Sequence, residues 1–392
     1  MNTQNLHRLI EKYEENFSKL NSGKPGEPDE IFKWKAAKTF RDVWFSEEAK
    51  TMSFSEKFNL AKKNFDILTD NSYVSPSNGI VKVAEKNQEA VETLFETLLF
   101  ADDGGDLETR QNNMEKFLEE FDKLRAEYYP QSFKFKQERH SVSCYLAFFA
   151  PEVNFIYRFS DAEEFAKHVE YGKDIGSGGD FRLDRYYELC EIIVEALKEH
   201  PTLLGKHDNL IKERNAIADE YYVDLTRHIL AFDLMYCCRT YNFYAGMTHA
   251  SKKDSIKAFV EAEAREKERL EREARIAELE AELHTLEMEA EKYTYISLLN
   301  VEVNQATYGK GVVIAQQNNK VTVKFETCEK GFIINKKYPV RPTFENDTEI
   351  VEAFTEYDSL LEKIKVLKNK IALIRGLEEG YSSLTKIPTP CA

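Results

Sequence analysis

"VEVNQATYGKGVVIAQQNNKVTVKF", from Val301 to Phe325, is a block of β-type sequence set between two leucine-spaced helical stretches. Val301 and Val303 alternate with polar residues, as do Val321, Val323 and Phe325, which is the period of a half-buried strand. Tyr308-Gly309-Lys310-Gly311 marks a turn or bulge, and Gln317-Asn318-Asn319-Lys320 has the asparagines of a tight hairpin. Lys330 and Gly331 precede a further run, Phe332 to Ile334. Four or five short strands in about forty residues predict a small SH3-like barrel.

The flanks repeat one pattern. Ile276, Leu279, Leu283, Leu286, Ala290 and Tyr293 advance by three- and four-residue steps. After the β block, Ile350, Phe354, Tyr357, Leu361, Ile364, Leu367, Ile371 and Ile374 form a second seam. Each apolar stripe must be buried against something, and the simplest partner is the other. The pair then runs antiparallel as a coiled-coil arm with the barrel at its tip. A second chain satisfies the same pattern, which leaves a homodimer through the heptad helices open.

Upstream, the sequence is mixed and rich in aromatics. NSGKPGEPDE (Asn21–Glu30) reads as a loop, and IFKWKAAKTFRDVWF as a helix burying Phe32, Ala36, Phe40, Val43 and Trp44. Further amphipathic helices follow, among them NNMEKFLEEFDKLRAEYY, which Pro130 ends, and one long helix over about residues 209–244. In SVSCYLAFFAPEVNFIYRF (Ser141–Phe159), two aromatic runs flank Ala-Pro-Glu-Val-Asn and predict a β-hairpin. The fold class is therefore α+β, mainly α. Residues 1–250 form a helix-rich domain with a hairpin, 251–298 and 344–376 the two arm helices, 299–343 the barrel and 377–392 a tail.

Composition narrows the function. The chain has 392 residues and a net charge of −15, which disfavours nonspecific wrapping of nucleic acid. Residues 300–342 run against that trend, with seven Lys/Arg (Lys310, Lys320, Lys324, Lys330, Lys336, Lys337, Arg341) and three Glu, a local net of +4. The expected partner-binding surface is Tyr308, Lys310, Lys324, Lys336, Lys337 and Arg341. No apolar run approaches a membrane span, so no membrane partner is expected. The six cysteines show no paired CxxC spacing, which argues against zinc and for reduced core thiols in a cytoplasmic protein.

The sequence carries no catalytic motif of recognisable spacing. GKDIGSGGD (Gly172–Asp180) puts Asp180 where a phosphate loop needs Lys, and reads as an ordinary loop, with closure over a ligand as the alternative. His140 and His228 stand beside arginines without metal-ligand spacing. Asp102, Asp103 and Asp106 form an acidic loop with the residue types for a cation, and Cys237-Cys238 lie in an apolar helix as core thiols. No catalytic residue, metal or cofactor is expected.

Two resemblances complete the reading. The early Val, aromatic-Gly-x-Gly, Val-Val pair, turn and Val-x-Val-x-Phe of residues 300–342 resemble the Tudor/SH3-like module that ends UvrD-type helicases. The family's usual His before the aromatic-Gly is replaced by Asn304-Gln305-Ala306-Thr307. The likeness implies a protein partner or nucleic-acid backbone. FKWKAAKTFRDVW with RHSVSCYLAFFAPEVNFIYRFSDAEEF is similar to the recognition region preceding the motor in some McrB-type restriction GTPases. It implies target recognition in phage defence. No GxxxxGK[ST] occurs, so GTP hydrolysis does not carry over and belongs to a separate motor or effector subunit. The expected function is a non-enzymatic recognition or adaptor protein of a bacterial defence or DNA-transaction system. The alternatives are a nuclease or nucleotide-processing subunit with its site in residues 1–250, and a structural coiled-coil dimer.

Overall fold

The computed structural model describes the chain except residues 71–72, 102–105, 294–295 and 385–392, and leaves out the side chains of 377–384. Contacts divide it into two units, Met1–Glu261 and a second beginning at Ala262. The acidic loop read at Asp102 and Asp103 lies outside the described residues.

The first unit is built from helices α1 (Thr3–Leu20), α2 (Phe32–Trp44), α3 (Phe54–Ala61), α4 (Asp66–Thr69), α5 (Pro76–Ala84), α6 (Gln88–Leu94), α7 (Leu107–Tyr128), α8 (Arg139–Phe149), α9 (Phe159–His168), α10 (Leu183–Lys198), α11 (Pro201–Ile217) and α12 (His228–Thr240). In α1 the buried Leu6, Leu9, Ile10, Tyr13, Phe17 and Leu20 follow helical spacing, and Asn2 caps the start by accepting from Asn5 N–H at 3.0 Å. The core is a web of rings. Phe58 meets Tyr145 edge-on at 5.4 Å and Phe95 meets Phe117 at 5.1 Å, the geometry that the ring quadrupoles favour.

The predicted hairpin is a helix followed by a lone extended segment. In α8, Val142, Cys144, Tyr145, Leu146, Ala147 and Phe148 are all buried, so the helix is apolar all round and shows no 3.6-residue period. Ser141 Oγ accepts from Glu138 N–H at 3.1 Å at its start, and Pro151 disfavours helix at its end. Phe155, Ile156 and Tyr157 then run extended and buried, with no partner strand among the described residues. Side chains take the strand's place. Phe155 N–H donates to Tyr187 Oη at 3.3 Å, Tyr157 N–H to Ser143 Oγ at 2.9 Å, and Ile156 O accepts from Tyr186 Oη at 2.5 Å.

The helix expected over residues 209–244 is interrupted between α11 and α12. Asp224 starts a separate helix, accepting the N–H groups of His228, Ile229 and Leu230 at 3.0–3.2 Å and so capping α12.

The boundary between the units falls within α13 (Lys252–Glu291). In the second unit, α13 packs along α14 (Asp347–Leu384) through the predicted seam, except that Leu360 is buried in it and the expected Leu361 is exposed. Ile276 and Leu279 cluster with Leu367 and Ile371, and Ala290 with Tyr357 and Leu360, so the two helices run antiparallel. Between them lie β1 (Glu302–Gln305), β2 (Gly309–Gln317), β3 (Lys320–Phe325) and β4 (Glu329–Ile333), an antiparallel sheet in sequence order. The β2–β3 turn is the expected Asn318-Asn319, with Asn318 left-handed at φ 52°. The sheet does not close into a barrel. Its Val303, Val313, Val321, Val323 and Phe325 are covered by Leu298, Phe344, and Val351 and Phe354 of α14, so a helix buries the face that closure would otherwise bury. The edge of β1 meets a single bridge, Asn304 with Thr343, instead of β4.

Candidate functional site

Strand parity decides where the expected binding residues go. Val321, Val323 and Phe325 face the covered side, which turns Lys320, Thr322 and Lys324 outward. Val312 is paired with Lys324, and Lys310 stands two residues from Val312 on that outer face, paired with Asn304. Lys310 and Lys324 thus meet, lining a 700 Å³ groove with Glu302, Thr343 and Glu345 among others. Tyr308 does not join them. It packs on Phe325 at 5.3 Å, with the Lys330 ammonium 5.9 Å from its ring, at the edge of the covered face. Gln305 Oε1 fixes this turn by accepting from the N–H groups of Thr307 and Tyr308.

The remaining basic residues divide. Arg341 makes a two-pronged pair with Asp347 at 2.5 and 2.8 Å, and holds that carboxyl below its ordinary range at the start of α14. It clamps the helix. Lys336 reaches Glu352 at 3.0 Å in an exposed pair. Lys310, Lys320, Lys324 and Lys337 make no ion pair among the described residues. The outer face therefore carries three unpaired lysines, and Lys320 belongs with the two that the sequence singled out. Alternation along β3 is the signal that finds it.

The first unit holds an unforeseen polar centre. Lys33, in α2, is fully buried and its ammonium bonds Glu30 and, at 2.6 Å, Asp233 of α12. Tyr13 donates to Asp233 Oδ2 and Tyr241 to Glu30 Oε1, both at 2.5 Å, and the Tyr236 ring lies 4.2 Å from the ammonium. Burial works against the charge on Lys33, but Asp233 and Glu30 outweigh it and hold the ammonium above its ordinary value. Glu30, Asp233 and Cys237 bring ligand atoms within 4.8 Å of one another, a donor set of the kind that holds a metal. Lys33 bonds both carboxylates, and burial pushes the Cys237 thiol up, so the cluster has its cation without a metal. The sequence offered one hint, a lone Asp233 in the apolar run Ile229–Met235.

The other flagged residues are structural. His140 Nδ1 and Nε2 face the carbonyl oxygens of Tyr157 (2.7 Å) and Leu68 (3.0 Å), which ties α8 to the extended segment. His228 stacks on Phe155 at 3.9 Å. Cys144, Cys190, Cys237 and Cys238 are buried thiols, and burial raises each of them. Gly176, at φ 68°, makes the tight turn of the GKDIGSGGD loop, where a Cβ would sit 1.8 Å from Asp180 O. No helix among the described residues is long and apolar enough to cross a membrane. Comparison of the chain with protein-family models, curated proteins and solved structures gave no match.

Proposed function

We propose that this chain is a recognition protein that engages an anionic partner, nucleic-acid backbone in the first instance, through the outer face of its C-terminal sheet. The observation that carries the reading is the set Lys310, Lys320 and Lys324, presented on one side of the sheet without ion pairs among the described residues. Exposed lysines with no carboxylate partner give orientation and association rate toward a negative surface. Glu302 and Glu345 at the groove, and Glu329 paired across the ladder from Lys324, limit that attraction and favour a contact of few phosphates. The setting consistent with this reading is bacterial defence or another DNA transaction, with the motor or effector on a separate subunit.

The test is fluorescence anisotropy of the full chain with labelled duplex DNA, single-stranded DNA and RNA over a salt series. Three lysine contacts predict a log–log salt slope of about −2 to −3. Absence of binding to all three at low salt overturns the nucleic-acid reading and directs attention to an acidic protein partner.

A further inference from the structure

Two cavities in the first unit meet at the same pair of side chains. One, of 640 Å³, lies between α8, the start of α9 and the GKDIGSGGD loop, and is bounded by His140, Tyr157, Phe159, Ser160 and Gly178 among others. The other, of 440 Å³, rests on Glu30 and Tyr236 at the rim of the buried lysine centre. Leu68 and Arg158 belong to both.

Arg158 has a distinct environment. Its guanidinium lies 5.7 Å from the Tyr236 ring, and it makes no hydrogen bond among the described residues. Nη1 stands 3.6 Å from Asp161 Oδ2, within ion-pair reach but too long for a hydrogen bond. Asp161 is also taken by Arg239 at 3.2 Å, so one carboxylate serves two guanidinium groups and Arg158 keeps open donors. Of the other charged groups around the two cavities, all but Glu138 are in ion pairs. Arg139 forms a two-pronged pair with Glu115, Asp29 pairs with Arg214, and Glu30 shares Lys33 with Asp233. Glu138 makes no ion pair among the described residues, and it lines the larger cavity as a negative counterpart. Both ring nitrogens of His140 face carbonyl oxygens, those of Tyr157 and Leu68. Leu68, Val74, Pro76, Leu118, Tyr157 and Phe159 supply apolar and aromatic surface, and Thr69, Gln137, Ser141 and Ser160 supply polar groups beside it.

We infer that this cleft binds a small anionic ligand bearing a flat ring, of mononucleotide size and chemistry, with its phosphate on Arg158 and its ring against the aromatic wall. A planar guanidinium with open donors suits a phosphate's two oxygens, and a cavity of a few hundred cubic ångströms whose walls are part aromatic and part polar suits a ligand that carries both a flat ring and a phosphate. Such a ligand gives the loop at Gly178 a role as one wall of its pocket. The site lies in the first unit and stands or falls independently of the lysine face.

The test is calorimetric titration of the full chain with AMP, UMP, adenosine, ribose 5-phosphate and inorganic phosphate. AMP or UMP binds saturably, with a dissociation constant on the order of 0.1 mM. Adenosine, which lacks the phosphate, and ribose 5-phosphate, which lacks the ring, bind about tenfold more weakly or not at all. Arg158→Gln weakens the nucleotide about tenfold, and Arg158→Lys falls between. Should Arg158→Gln fail to fold, the unaltered protein supplies the answer. Bound nucleotide slows phenylglyoxal modification of Arg158, mapped by mass spectrometry, while exposed Arg8 reacts unchanged. No heat from either nucleotide at millimolar concentration, equal binding by Arg158→Gln, or no protection of Arg158 overturns the assignment.

Discussion

The Lys33 ammonium is the counter-ion of two buried carboxylates, so its removal strands Glu30 and Asp233 without compensation. Lys33→Ala is expected to destabilise the first unit by about 3–5 kcal/mol, measured by denaturant unfolding followed in the near-ultraviolet. A loss well under 1 kcal/mol contradicts the role given to the cluster. A second expectation concerns protons. Burial holds His140, His168 and His228 below their ordinary 6.5. Below about pH 6.5 the unfolded chain takes up protons that the folded chain refuses. The stability these histidines contribute is present above that pH and is lost as pH falls. Imidazole titration by NMR checks the sign: midpoints below 6.5 for all three agree, and midpoints at or above it do not. Little of this residue-scale chemistry was legible in the sequence. Glu30 and Lys33 are three residues apart, but Asp233 reaches them only through the packing of α12 on the rest of the unit.

At the scale of elements, one carboxylate of α14 holds both the β2–β3 turn and the end of β4. Asp358 Oδ2 accepts from Asn319 in the β2–β3 turn at 2.6 Å and from Asn335, just beyond β4, at 2.5 Å. Both asparagines are buried, so Asp358→Ala leaves amide donors unmatched at a cost of about 1–3 kcal/mol. Hydrogen exchange of the β3 amides is expected to quicken roughly ten- to a hundredfold, with Asp358→Asn partly restoring protection. Unchanged exchange contradicts the anchoring. The heptad seams and the strands were readable because each has one wet face, and alternation is visible only when two faces differ. α8 has no wet face, so its apolar run carried no period and read as a strand. Barrel closure was the expected way to bury the valines of β1–β3. The start of α14 buries them instead, a long-range contact that strand spacing does not encode.

For the whole molecule, the net charge of −15 and the lysine face pull in opposite directions. The +4 count over residues 300–342 overstates the basic surface, because Arg341 and Lys336 are matched by Asp347 and Glu352 of α14, beyond that window. Of the six residues singled out from the sequence, Lys310 and Lys324 share the outer face, Tyr308 lies at the edge of the other, and Arg341 clamps a helix. Parity along the strands was legible, whereas pairing across to α14 was not. Position on the sheet, and not the number of lysines, is what the account makes responsible for binding. The measurement that tests this most directly compares two charge-reversed full-length chains for binding to one labelled DNA duplex at fixed low salt. The account predicts that Lys310→Glu/Lys320→Glu/Lys324→Glu abolishes binding while Lys336→Glu/Lys337→Glu leaves it within about twofold. Equal losses in the two chains, or binding that survives the first, would contradict it.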